Sequence, residues 1–564
     1  MARGRANMVT AGPRGANATA NSTPARDSSS MREFVSQELI SRFMATPALK
    51  LAGIAAVLLA FCLLVQAVSG TWSAGFVIYP DEPSHFVGSA MVRDWLVSGE
   101  WRTPREFAQN YYAHYPFFAL GYWPPLFSFV TGCWMLLAGV GRQQALVVPA
   151  VFAAGTAFLI FWLIRKRAGY GIGLCAGLLY LSLPAARLWM CAVMVDHMTA
   201  FLCLLAVCVL LRYLKNPSLI NGVLLGVVSA LAILSKYSAA YLVVLPMASV
   251  LLLRRFDMLK KLSFWVAPAV IGLTTGPWLL WTRNMAAIGL PSSREPLGAH
   301  RLFTFLADSF ALFPPVLLVM VATGLLLLAV RPKAWSDDVA VLAMLFAGHL
   351  ALLVLSPVEP EHRYLLAPAA ALLIGAVAGW SETLAGFSSL RAWKRAVSPF
   401  AVLATLIFAI GQVSGGQKMP ADQVNSAVQF VVKDPRWTGQ RIVVPPDLEG
   451  PVIADFVAQT RRRPAHYLIR PLKTLARTDW FAHSYSPLFR TSREMMEYFR
   501  QHPVTLIIWN EVSNPNQRLH SVLMGEMLRD NPLSWRKVFP LDTGRGAHPN
   551  WAIYEYTAPS LSRN

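Results

Sequence analysis

Apolar stretches long enough to cross about 30 Å of hydrocarbon as helix, at about 1.5 Å per residue, recur from about residue 51 to about 413 and then stop. After the first, which starts near residue 51, they fall at about 143–165, 171–190, 197–214, 219–235, 237–253, 263–283, 309–330, 339–356, 363–382 and 398–413. A further apolar stretch, 117–139, opens on Trp123-Pro124-Pro125, and a helix that begins on Pro-Pro at an interface can lie flat or re-enter. The pattern predicts a polytopic α-helical membrane protein with about 11–12 hydrophobic helices, eleven of them crossing.

Beyond residue 420 the period changes. Runs at Arg441-Ile442-Val443-Val444, His466-Tyr467-Leu468-Ile469, Val504 to Trp509 and Trp551 to Tyr556 read as strands. Gly450 to Gln459, Ser492 to Gln501 and Arg518 to Arg529 read as helices. This predicts a small α/β domain over 421–564 with a mainly parallel sheet. It carries neither GxGxxG nor a P-loop, so covering substrate or binding a partner is its default role.

Composition agrees with the membrane reading: 55% of the 564 residues are hydrophobic. The formal charge of +20 does not point to nucleic acid, because the basic residues sit in short clusters between apolar runs and no nucleic-acid-binding motif is present. Residues 1–45, rich in Ala, Gly, Ser, Thr and Arg, read as a disordered basic leader. Arg3, Arg5, Arg14, Arg26, Arg32, Arg42 and Lys50 precede the first span and place the N-terminus in the cytoplasm. With 117–139 not crossing, Arg165 to Arg167, Arg254 to Lys261, Arg331 with Lys333, and Arg391 to Arg395 all fall on the cytoplasmic side. The six cysteines lie in or beside apolar segments, which indicates no disulfide framework and no CxxC metal site.

The same parity sends one set of ionisable residues outward: Asp81 and Glu82, Asp196 at a helix start, Lys236 between two helices, the loop 284–308, and Glu359-Pro360-Glu361-His362-Arg363-Tyr364. That clustering was not used to assign the parity, and it points to one external site. Asp81 and Glu82 follow the first span directly, where a carboxylate loses several kcal/mol of solvation unless it has a partner, a cavity or a substrate. The bland readings are a loop bounded by Pro80 and Pro83 and, for Asp196, a helix N-cap. The first outer loop, 71–122, has helical apolar spacing through Phe86, Met91 and Leu96 and then aromatics, the pattern of interfacial helices lying along the outer face.

Over residues 50–415 the chain resembles the C-type superfamily of polytopic glycosyltransferases that use lipid-linked sugars, which includes protein O-mannosyltransferases and the aminoarabinose transferase of lipid A. The residues that carry this are Pro80-Asp81-Glu82, Gly99-Glu100-Trp101 with Pro104, Pro124-Pro125-Leu126, Asp196, Leu234-Ser235-Lys236, Pro277-Trp278 and Arg363-Tyr364. The resemblance implies inverting transfer from a polyprenyl-phosphate sugar donor to a glycolipid, glycan or protein acceptor at the outer (periplasmic) face of a bacterial inner membrane. It implies Asp81 as the base with Glu82 as the neighbouring alternative, and Asp196 as a second acid that orients the acceptor, a water or a basic partner. Arg363, backed by Lys236 and His362, would hold the donor phosphate. The chain departs from the lipid A transferases at Tyr122-Trp123, where they carry an acidic residue and a lysine. No cofactor is predicted and a divalent metal is left open; His85, His114 and His197 match no ligand spacing. The competing readings are a lipid-linked glycan transporter or flippase, a sugar-polymer ligase, and a scaffold without catalysis.

Overall fold

The structure is a computed structural model. It describes residues 47–119, 121–288, 298–331, 335–356, 361–385, 401–412, 425–478, 484–511, 517–539 and 551–557. The predicted leader, the basic cluster Arg391 to Arg395, Glu359 with Pro360, and most of the loop from Gly289 to Gly298 lie outside the described residues. Residues up to Gly53 form a separate unit, of which the described part is the start of the Pro47–Val68 helix.

Among the described residues, six helices are long and apolar enough to cross a membrane: Pro47–Val68, Arg142–Ala168, Asp196–Lys215, Leu262–Met285, Asp337–Leu355 and His362–Leu384. Two bent pairs raise the number to eight, Tyr170–Ser182 with Pro184–Met190 at 69° and His300–Ala311 with Pro315–Ala329 at 115°. The remaining predicted spans are helical but short: Leu219–Ser235 and Ala401–Gln412 are apolar helices below that length, and 237–253 is a 3-10 turn followed by Leu245–Leu252. The stretch 117–139 contributes one helix, Leu126–Ala138, whose 13 residues reach only about 20 Å.

Sequence chemistry explains the breaks. Gly169, with φ 89°, turns the chain right after the basic run Arg165 to Arg167, at a backbone angle that a side chain would strain. Pro184 and Pro315 each open the second arm of a bent pair, where a missing N–H costs nothing. The helices Pro315–Ala329 and Leu366–Ala385 meet through Gly324 and Gly379, and a Cβ on Gly379 would lie 1.9 Å from the Gly324 carbonyl oxygen. After the first span the structure forms the helix Glu82–Ser98, where the apolar spacing predicts one, and a second helix, Pro104–His114, within the stretch that follows the turn.

Among the described residues the C-terminal region has seven strands: β1 Arg441–Val443, β2 Tyr467–Ile469, β3 Ala476–Thr478, β4 Tyr485–Pro487, β5 Leu506–Asn510, β6 Trp535–Phe539 and β7 Trp551–Tyr556. Five make one sheet in the order β2-β1-β5-β7-β6, while β3 and β4 form a separate pair. The sheet is mixed, which corrects the mainly parallel expectation: β1 is parallel to β2 and β5, but β7 runs antiparallel to both β5 and β6. β3, β4 and β6 are not among the strands that the sequence pattern predicts; in β6, at the sheet edge, only Trp535 and Phe539 are buried while Arg536 and Lys537 face solvent. Ile442, Leu506, Ile508 and Ile553 form the sheet's buried rows.

Candidate active site at one end of the helix bundle

The four charged groups singled out around Asp81 arrive from four parts of the chain at the same end of the bundle. The first span ends at Val68, and Gly70, at φ 71°, leads through a 3-10 turn toward Pro80. Asp81 is the N-cap of the Glu82–Ser98 helix, yet its carboxylate caps nothing. It accepts a hydrogen bond from Arg363 Nη1 at 3.1 Å instead, 282 residues along the chain. An N-cap aspartate ordinarily satisfies one of its own helix's free N–H groups, so this carboxylate is committed outward.

Arg363 is the buried centre of the site. Its Nη2 donates to the Tyr79 hydroxyl at 3.1 Å and to Glu361 Oε1 at 3.2 Å, and the Tyr79 hydroxyl donates to the same Glu361 oxygen at 2.9 Å. The guanidinium lies 4.3 Å from the centroid of Tyr79, 5.2 Å from that of Tyr364 and 5.6 Å from that of Trp189. Burial pushes the Tyr79 phenol up from its ordinary range.

Asp196 opens a span as its first helical residue, with Val195 as the N-cap, so the N-cap reading of Asp196 is not met. Asp196 Oδ1 accepts from Lys236 Nζ at 2.5 Å, and its Oδ2 has no hydrogen-bond partner among the described residues. Lys236 follows the last turn of Leu219–Ser235 and sits 4.2 Å from the Tyr364 ring centroid. Asp196, Lys236, Ser238, His349, Arg363 and Tyr364 line one cleft. The orientation of the helices agrees with this: two of these elements start at the site and one ends there.

Glu82 does not join them. It is fully buried and ion-paired with Arg142, Nη2 to Oε1 at 2.8 Å, and it also accepts the Val193 N–H at 3.1 Å. Arg142 donates in addition to the carbonyls of Thr71, Ala74 and Cys191. This knot holds the residue next to Asp81 and ties it to Val193, three residues before Asp196, so the Glu82 carboxylate is engaged with Arg142 rather than with Arg363. His362 is exposed and stands outside the described network.

His85, one turn after Asp81, is buried between Trp123, with ring centroids 4.6 Å apart, and Phe127 at 5.4 Å. Burial holds its pKa down to about 4, against the opposing pull of Asp81 and Asp196. His114 stacks on Tyr467, and His197 Nε2 lies 2.8 Å from the Ala186 carbonyl, so the three histidines are engaged separately. The site does not fit a divalent cation: Asp81, Asp196 and Glu361 each already face Arg363 or Lys236. Among the described residues no cluster of three or more metal-ligand types gathers.

Residues that the sequence reading missed are Tyr79, Arg142, Trp189 and His349. A histidine inside an apolar run was the one available signal, for His349 lies in the span Asp337–Leu355. Arg142 stands alone between two apolar runs, and no motif marks it.

A bundle of spans, a helix whose N-cap aspartate faces an arginine on a late helix, and an α/β region toward the C-terminus make up a fold that solved membrane glycosyltransferases share. Comparison with known proteins agrees. The family model described as dolichyl-phosphate-mannose-protein mannosyltransferase matches residues 123–281, a stretch that contains Asp196 and Lys236 but neither Asp81 nor Arg363. The structure is similar to ArnT from Cupriavidus metallidurans bound to undecaprenyl phosphate, with TM-score 0.56 and 14% identity over 90% of this chain and 98% of that one. It is also similar to the archaeal oligosaccharyltransferase AglB from Archaeoglobus fulgidus in complex with an inhibitory peptide and a dolichol-phosphate, with TM-score 0.51 and 13% identity over 80% of this chain and 69% of that one. No curated protein sequence matches the chain.

Proposed function

We propose that the protein moves a sugar from a polyprenyl-phosphate donor to an acceptor at the extracytoplasmic face of the membrane, with inversion and with Asp81 as the base. The membrane we assign is a bacterial inner membrane, with the N-terminus cytoplasmic and the C-terminal domain periplasmic. The observation that carries the reading is the outward commitment of Asp81: a half-exposed N-cap carboxylate that ignores its own helix and lies 3.1 Å from a buried arginine.

The chemistry follows from charge. A donor phosphate entering the cleft meets Arg363 and Lys236, of which the guanidinium offers a planar fork. Competition by the phosphate draws Arg363 from Asp81, which leaves the carboxylate free to accept a proton. The acceptor hydroxyl gives that proton to Asp81 as its oxygen bonds to the anomeric carbon; the bond from that carbon to the phosphate oxygen breaks, and polyprenyl phosphate departs with the electron pair. Asp196 keeps Lys236 in place. Both ArnT and AglB are described as bound to a polyprenyl-type phosphate, which supports the donor class. The acceptor is a glycolipid, a glycan or a protein.

The test compares envelope glycans and lipid-linked sugars in a deletion strain complemented with wild type or with Asp81→Asn. Loss of one envelope sugar with build-up of its polyprenyl-phosphate donor, in the mutant alone, is the expected result. Identical profiles from the two complemented strains would remove the assignment.

A further inference from the structure

The helix that begins at Asp81 is held at a second point, by the C-terminal domain. Asp94, 13 positions after Asp81, lies near the other end of that helix and is 8% exposed. Arg463 approaches it with two nitrogens, Nε to Oδ2 at 2.7 Å and Nη2 to Oδ1 at 3.2 Å, and the Arg463 side chain is 5% exposed. Arg463 Nη1 donates to the carbonyls of Val457, at 3.0 Å, and of Thr460, which tie it to its own domain. Tyr111 Oη and Arg93 Nη1 donate to the same carboxylate.

The same domain grips the rest of the outer loop. The Ala465 N–H donates to the Tyr115 hydroxyl at 3.1 Å, Tyr467 stacks on His114 with centroids 4.0 Å apart, and Arg470 donates to the Pro116 carbonyl at 3.2 Å. Phe117 lies against Gly450, where a Cβ would come within 2.5 Å of its ring. The gripped segment runs on to Trp123, which packs on His85 a single turn from Asp81. The two routes from the domain therefore reach the same helix at its two ends, Asp94 at one and His85 at the other.

A pair this buried is a poor source of net stability, because desolvation offsets the attraction. What it supplies is fixed geometry between two bodies. The geometry points to Arg463 as a positioning residue: through Asp94 the C-terminal domain sets the aim of the Asp81 helix, whose near end is pinned by Glu82 to Arg142. This rests on the transferase reading given above. Catalytic geometry is sensitive at this scale, since a shift of about 1 Å can cost about 100-fold, and a helix still pinned at one end should lose less.

The test uses the full chain at matched membrane levels in the complementation assay, with binding of undecaprenyl phosphate to the purified protein measured in parallel. Arg463→Gln is expected to lower the rate of envelope sugar incorporation by roughly 3- to 10-fold with undecaprenyl phosphate binding unchanged, and Arg463→Lys to recover part of it. Gly450→Ala perturbs the second route without weakening its own helix, since alanine is the better helix former, and should lower the rate in the same way. An unchanged rate in Arg463→Gln, or a rate that falls only in step with undecaprenyl phosphate binding and protein yield, overturns the positioning role. If wild type itself neither restores the sugar nor binds undecaprenyl phosphate, it is the transferase reading that fails.

Discussion

The two ends of the helix bundle use the same residue types in opposite ways. At the far end, Arg167 pairs with Asp338 at 2.7 Å and Arg255 with Asp337 at 2.8 Å, one cation to one anion, at side-chain exposures from 22% to 36%. At the site end, Arg363 is 8% exposed and divides its donors among Asp81, Glu361 and Tyr79 under three aromatic rings, while Asp196 keeps an oxygen without a partner among the described residues. Simple half-solvated pairs staple loops and are worth little each. A shared, buried cation with an accessible carboxylate is an arrangement that a ligand can rearrange.

The contrast can be broken by mutation. Asp81→Asn should lower transfer by about 100-fold or more, the range of a lost general base, in a membrane assay where the protein remains inserted. Glu82→Gln leaves Arg142 buried without its counter-charge and should cost about 3–5 kcal/mol, seen as a lower melting temperature in detergent. Next comes acid stability. His85 is held near 4 in the fold against an ordinary 6.5, so the unfolded chain takes the proton first. Stability is then complete above about 6.5 and falls as pH drops toward about 4, by up to about 3 kcal/mol. His85→Gln should flatten that acid limb in melting curves taken across pH. Arg363→Lys keeps a charge but loses the fork, and should slow transfer by about 10-fold. Smallest of all, Asp338→Asn at the far end should change stability by less than about 1 kcal/mol and leave transfer as it was; a large loss there would erase the distinction between the ends.

Much of this is legible in the chain. Hydrophobic runs locate most of the helices, and charge parity alone sends Asp81, Asp196, Lys236 and Arg363 to one face. What the sequence does not show is which of two adjacent carboxylates meets Arg363. Consecutive helical residues point about 100° apart, so the roles of Asp81 and Glu82 depend on what surrounds the helix, here Arg142 on one side and Arg363 on the other. Arg463 was equally hidden, for its role exists only once a domain from the end of the chain docks on the first loop. The sheet showed the same limit, because antiparallel partners such as β6 need only half their residues apolar.

The six cysteines are buried or half-buried at positions 62 to 208, and the C-terminal domain has none. The chain thus offers a nearly silent background for chemical labelling from one side of a membrane. Leu533, 91% exposed on the C-terminal domain, is a place where a single introduced thiol would react with a membrane-impermeant maleimide in intact cells if the domain faces outward.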